Sequence, residues 1–214
     1  MEHASVPCET SLGEEIASSI THGVGLVAAV VGAPILVMVA ARRGAGALVG
    51  AAVFVATVIV LYAASTLYHA IPHEKAKRVF KVLDRAAIFL LIAGSYTPFT
   101  LTALRGAWGF TLLATVWALA TLGVTLTATG LLGRPALSTS LYLGMGWLAV
   151  IVIQPLWRHL PAAGFAWLVA GGLAYTAGVP FFAARRLRYG HVVWHLFVLA
   201  GTVCHYVAVL GYAV

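Results

Sequence analysis

Three histidines and an aspartate, His69, Asp84, His191 and His195, interrupt a chain that is otherwise strongly apolar. His191 and His195 are four residues apart, so on a helix they project from one face, one turn apart, and two imidazoles at that spacing can grip one metal ion. Ser65 and His69 share the same spacing and hence a common face. Three neutral imidazoles suit zinc and leave a fourth position for water. Zinc lowers the pKa of such a water to about 7 and polarises a carbonyl oxygen. Asp84 then has the chemistry of a general base. Ser65, one turn deeper than His69, has that of a supporting or oxyanion-contacting hydroxyl. The reaction this set suits is hydrolysis of an amide or ester. Spacing alone leaves other readings open. Intramembrane histidines also serve as hydrogen-bonded bundle residues, and Asp84 has Lys81 and Arg85 close by in sequence as partners. His205 lies near the same face but ten residues past His195, about 15 Å further along a helix. It cannot share the same ion, and it reads as a buried hydrogen-bonding histidine. His73 and His159 read as solvated loop residues, and His3 as part of an unstructured N-terminus.

The elements that must position these residues follow from composition. Of 214 residues, 62% are hydrophobic and 9% charged, against about 25% charged in a soluble domain. The apolar residues form long blocks, not the short alternating strands of a β-barrel, so the expected fold is an all-α integral membrane bundle. Seven transmembrane helices are expected near 20–41, 48–71, 84–104, 108–131, 138–157, 163–184 and 191–213, after a polar cytoplasmic segment over 1–19. The fifth is the weakest, because Gln154 and Pro155 sit near its end. Lys75, Lys77, Arg78, Lys81, Arg85, Arg134, Arg185, Arg186 and Arg188 fall on one side of this arrangement. Arg42, Arg43, Arg105 and Arg158 fall on the other. The heavier side is cytoplasmic, which puts the N-terminus inside and the C-terminus outside. This is opposite to G-protein-coupled receptors. The arrangement brings His69, Asp84, His191 and His195 to one level near the cytoplasmic boundary, although only Lys and Arg were used to orient the chain.

The net charge of +7 is read as a topology signal, since no aromatic-interleaved basic patch points to nucleic acid. Cys8 and Cys204 have neither metal spacing nor the setting of a disulfide framework. No cleavable signal peptide is expected. Gly144, Gly146, Gly171 and Gly172 are expected to let helices approach closely. Pro98 and Pro180 are expected to kink their helices or free a carbonyl. Thr57, Thr115, Thr121, Thr125, Thr127 and Thr129 are expected to bond to their own helix backbones.

Three stretches resemble a known family. Glu14-Glu15-Ile16-Ala17-Ser18-Ser19-Ile20-Thr21-His22-Gly23-Val24-Gly25 looks like the amino-terminal signature of bacterial hemolysin III-like proteins. Ser65 to His69, with Asp84 and the run Ile92 to Phe99, resembles the second signature. His191-Val192-Val193-Trp194-His195 followed by His205 resembles the third. The family is related to the progestin and adipoQ receptors, including the adiponectin receptors, and to alkaline ceramidases. The resemblance implies a seven-helix bundle with its N-terminus inside and zinc near the cytoplasmic side. It implies His69, His191 and His195 as the zinc ligands, Asp84 reaching the metal through water, Ser65 beside it and His205 outside the ligand set. Two positions depart from the pattern: Ser18 stands where Asn is usual, and Arg85 where many relatives have His. Thr21 and His22 are expected to open the first helix, Thr21 as its cap and His22 at the interface or lining the site.

The expected protein is a multi-pass protein of the cell membrane, a zinc-dependent hydrolase of a lipid-like substrate whose partner is membrane lipid. A membrane-state sensor with structural zinc uses the same residues. A channel or cytolysin, as the family name suggests, has less support, because the outer half of the spans offers no ring of charges. There is no nucleotide, NAD or flavin signature.

Overall fold

The computed structural model describes residues 11–132, 135–184 and 187–213. His3, Cys8, Arg134, Arg185 and Arg186 lie outside the described residues. Within them the chain is helical throughout: α1 (Leu12–Ala41), α2 (Ala45–Ala70), α3 (Glu74–Leu101), α4 (Ala107–Ala128), α5 (Ala136–His159), α6 (Ala162–Ala183) and α7 (Gly190–Ala213). Among the described residues six of these, all but α3, are long and apolar enough to cross a membrane. Large side chains such as Ile20, Val27, Val31, Met38, Leu122 and Leu173 face outward. Water would oppose that exposure and hydrocarbon welcomes it. The chain is a helical, multi-pass membrane protein. Helix α3 is more polar because Asp84, Arg85 and a run of Ser, Tyr and Thr lie along it. It is also the inner helix, packed most extensively on α2 and then on α4.

Small residues set that inner packing. Along α2, Gly46 and Gly50 fall one turn apart and face α3. A Cβ on Gly50 would lie 2.6 Å from the Pro98 Cα, and one on Gly46 would lie 2.9 Å from the Leu101 carbonyl oxygen. Gly94 meets the Thr57 side chain just as closely. These contacts bring the backbones together, as small residues do where water supplies no driving force between helices. Of the glycines expected to do this, one does. Gly171 lies against the His205 ring, but Gly144, Gly146 and Gly172 have no described atom within 4 Å of where a Cβ would sit. The threonines match expectation: Thr115, Thr121, Thr125, Thr127 and Thr129 each bond the carbonyl four residues back, and Thr57 that of Phe54.

Helix α5 is interrupted. A 3₁₀ stretch, Trp147–Val152, separates its two α-helical parts. The cause is a side chain from α3. The Tyr96 hydroxyl accepts from the Ala149 N–H at 2.9 Å and lies 2.7 Å from the Gly146 carbonyl, to which it donates. A hydroxyl inserted into the backbone ladder is a known cause of such breaks. The irregularity therefore precedes Pro155, the residue that made this span suspect. Two further bonds tie α5 to its neighbours: Tyr142 Oη to the Arg85 carbonyl and Trp147 Nε1 to Thr176 Oγ1.

Two helix starts differ from expectation. Helix α3 begins at Glu74, ten residues before Asp84, with His73 as its N-cap. Asp84 is thus mid-helix. Helix α1 begins at Leu12 and is capped by Ser11, not Thr21, whose hydroxyl bonds the Ala17 carbonyl instead. His159 closes α5 and stays exposed, its Nδ1 on the Pro155 carbonyl.

Candidate metal centre

The site is assembled where the first turns of α1 and α7 meet the last turn of α2. Ser11 and Glu14 form a capping box, each side chain bonding the other's backbone N–H. Glu14 also accepts from the Tyr189 N–H at 2.5 Å. Tyr189, at φ 57°, is the left-handed residue that opens α7. One carboxylate therefore pins two helix N-termini side by side, a setting that favours negative charge. With that contact made, Glu15, Ser18 and His22, at i, i+3 and i+7 on one face of α1, point at the histidines of α2 and α7.

The three histidines converge through one nitrogen each. His191 Nε2 lies 3.2 Å from His69 Nε2 and 3.0 Å from His195 Nε2. One ligand atom from each ring falls within 4.8 Å of the others. Donors about 2.0–2.1 Å from a shared tetrahedral ion are about 3.3 Å apart, so the spacing fits. The outer nitrogens show the same from another side. His69 Nδ1 is 3.0 Å from Glu15 Oε2, and His195 Nδ1 is 3.3 Å from the Ser18 carbonyl. Carboxylate and carbonyl oxygens only accept, so both Nδ1 atoms carry the proton and both Nε2 atoms present lone pairs. His191 lies between them and has at most one Nε2 proton to give. Two ring lone pairs and a third ring nitrogen aimed at one point are reconciled by a cation at that point. A ring whose outer N–H is held by a carboxylate or carbonyl is also how metal-ligating histidines are oriented. The residues fit a metal ion.

The surroundings hold these rings in place. The Glu15 Oε2 that accepts from His69 also accepts from Lys77 Nζ at 2.8 Å, tying α1, α2 and α3 together. His22 stacks on His195, with centroids 3.5 Å apart and planes at 7°, and meets Tyr62 edge-on at 5.0 Å. His22 is buried against the cluster, the second of the two expectations for it and not the interfacial one. Asp84 is half-buried and interacts with His69 and with Ser65. Among the described residues it lies outside the group of mutually close ligand atoms. Ser65 is fully buried beside it, and its Oγ closes no hydrogen bond of ordinary geometry among them. His205, as expected, is remote from the cluster.

Sequence reasoning found the three converging rings and placed Asp84 and Ser65 near them. It left the roles of Glu15, Ser18 and His22 open and missed Lys77 as a support. The usable signal was the i, i+3, i+7 spacing of Glu15, Ser18 and His22. A backbone carbonyl leaves no mark in sequence.

A cavity of about 1560 Å³ opens from this cluster. Glu15, His22, His69, Asp84, His191 and His195 line its polar end. From there it runs between α3, α5, α6 and α7 over a largely apolar wall as far as Leu156, Phe165 and His205. It is larger than the ~300–1,000 Å³ of ordinary small-molecule sites.

The model of the haemolysin-III related family matches residues 10–206, a stretch that includes every residue of the cluster. The chain is 43% identical to Hemolysin-3 of Bacillus cereus over 200 residues, 93% of this chain and 91% of the relative. It is 40% identical to the Hemolysin-3 homolog of Bacillus subtilis over 205 residues, 95% of this chain and 96% of the relative. The human monocyte to macrophage differentiation factor is 26% identical over 205 residues, 93% of this chain and 84% of the relative. That distant likeness supports the relation to the progestin and adipoQ receptors expected from the motifs. The chain therefore belongs to the haemolysin-III related family of multi-pass membrane proteins, which in bacteria reside in the cell membrane.

Proposed function

We propose that this protein is a zinc-dependent membrane hydrolase that cleaves an amide or ester bond of a lipid-like substrate. The observation that carries the reading is the juncture of the histidine cluster with the large apolar cavity. A purely structural metal site has no need of an apolar space opening from its ligands. His69, His191 and His195 would hold zinc, an assignment supported by an all-nitrogen donor set in which the tautomers of His69 and His195 are fixed. When bound with one position open, zinc supplies Lewis acidity and a water that ionises near neutral pH.

The protein's own groups do the rest. The cavity wall binds the apolar chain and excludes bulk water from the reacting carbonyl. The Asp84 carboxylate takes the proton of the attacking water and passes it to the departing amine or alkoxide, as a general base and then a general acid. Ser65 Oγ, buried and uncommitted in geometry, orients the Asp84 carboxyl or donates to the carbonyl oxygen as charge develops there. Glu15 and the Ser18 carbonyl keep the rings aimed. The reading includes seven spans with the N-terminus inside, supported by the Lys and Arg distribution. Helix α3 is then the seventh span, shielded from lipid by its neighbours, and the cluster faces the cytoplasmic boundary.

The test is turnover of a long-chain N-acyl amide and the matching ester by metal-replete protein, beside Asp84→Asn. The expected loss in kcat/KM is at least about 10²-fold with metal content unchanged. Full turnover in the variant, or none in the parent with either substrate, overturns the reading.

A further inference from the structure

The first turns of α3 stand beyond its apolar block, and their two faces differ. Lys77 turns inward to Glu15 at 2.8 Å. On the outward face Lys75, Arg78, Val79, Val82 and Leu83 line one shallow depression. They fall at i, i+3, i+4, i+7 and i+8, a single stripe of the helix. All five are exposed, Val79 by 57% and Leu83 by 46%. Arg78 meets Glu74 at 4.0 Å, with both side chains largely in the open, and such a pair is worth little. Among the described residues Lys75 has no ion pair.

The stripe is ordered along the helix axis. Its two cations occupy the outer end, and Val82 and Leu83 the end next to Asp84. Arg78 is about 8 Å and Lys75 about 12 Å further out than Leu83. With α3 as a span, Leu83 lies at the edge of the hydrocarbon. The headgroup layer beyond it is about 5–8 Å thick, within reach of both long, flexible cationic side chains. A phospholipid has the same order, phosphate outside and acyl chain within. The Arg fork and the Lys ammonium suit phosphate oxygens. Charge selects among headgroups. Two cations against the one carboxylate of Glu74 leave one positive charge unmatched. A headgroup of net charge −1 neutralises it, whereas a zwitterionic headgroup brings an ammonium of its own, which both cations repel.

We propose that this stripe is a binding site for an acidic glycerophospholipid of the leaflet at the histidine end. Lys75 and Arg78 hold its phosphate, and Val79, Val82 and Leu83 carry the start of an acyl chain. The site uses α3 as a span and none of the chemistry at the histidine cluster.

The experiment is native mass spectrometry of the full-length protein, released from micelles doped with equal amounts of dioleoyl phosphatidylglycerol and dioleoyl phosphatidylcholine. The parent is expected to retain phosphatidylglycerol about tenfold over phosphatidylcholine. Lys75→Gln/Arg78→Gln is expected to lose most of that preference. Arg42→Gln/Arg43→Gln, an equal change of charge at exposed residues of the opposite end, is expected to keep it. Glycerol 3-phosphate, the soluble head alone, is expected not to displace the lipid at equal concentration. Equal retention of the two lipids by the parent overturns the site. So does an undiminished preference in Lys75→Gln/Arg78→Gln, or an equal loss in Arg42→Gln/Arg43→Gln, which would make the attraction one of net charge. Displacement by glycerol 3-phosphate would remove the acyl half and reduce the site to a phosphate contact. Lipid-free dimers in the parent that Lys75→Gln/Arg78→Gln dissociates would put a second copy of the chain on this face and overturn the lipid assignment.

Discussion

The histidine end of the bundle and the α5 wall are built on opposite principles. At the histidine end, α1, α2, α3 and α7 are tied by charged and polar contacts: Glu14 to Tyr189, Glu15 to both His69 and Lys77, and Ser18 to His195. Beneath it α2 and α3 close backbone to backbone at Gly50 and backbone to the Thr57 side chain at Gly94. The α5 wall is tied by the hydroxyls of Tyr96 and Tyr142 and the indole of Trp147, and a Cβ added at its Gly144 or Gly146 would meet nothing described within 4 Å. Its ladder is broken over Trp147–Val152. A metal cluster needs ligands held to within about 0.5 Å, whereas an apolar chain needs only a wall that can adjust to it. The difference in packing matches that division of work.

The comparison can be broken at several points. The largest effect is expected at the rigid end, from Gly94→Leu. Thr57 already occupies the space a Cβ would need, so the α2–α3 seam must open. The expected loss is about 3 kcal/mol or more, seen as failure to recover folded protein or as a collapse of the melting temperature in detergent. Next is Glu15→Gln, which keeps an acceptor for His69 but removes the charge that also holds Lys77. A fall in metal affinity of about 10–100-fold is expected from chelator competition, with the fold kept. Affinity equal to the parent's would separate Glu15 from the cluster. Smaller still is Tyr96→Phe, which restores the α5 ladder at the cost of one interhelical tie. A change of about 1 kcal/mol or less is expected, with altered hydrogen exchange confined to residues 145–152. Gly144→Ala on the same wall should stay within about 0.5 kcal/mol of the parent.

Much of this was legible in the residues, and what was not has physical reasons. The apolar blocks located the helices because hydrocarbon thickness sets their length. The spacing of His191 and His195 and the level of His69 located the cluster, since helix geometry is regular. Helix starts were less legible. Lys75, Lys77, Arg78 and Lys81 mark a loop by charge, yet His73 caps a helix there and α3 runs ten residues beyond the apolar block. Likewise α1 is capped by Ser11, where a capping box was readable, not by Thr21. The fifth span looked weak because of Gln154 and Pro155, but its break lies earlier, where Tyr96 inserts from another helix, and no local pattern reports that. Which glycines need to be small was also unreadable: a Cβ on Gly50 or Gly94 would strike a neighbour while one on Gly144 or Gly146 would not, and only the tertiary arrangement separates them.

The proposed purpose of the three converging ring nitrogens is to hold an ion. It is tested most directly by the metal content of the purified, detergent-solubilised protein beside a His191→Ala/His195→Ala double variant. The account predicts about one zinc per chain in the parent and none in a variant that remains folded. Equal, negligible metal in both after metal-replete expression would contradict it and leave the histidines as polar groups of the bundle.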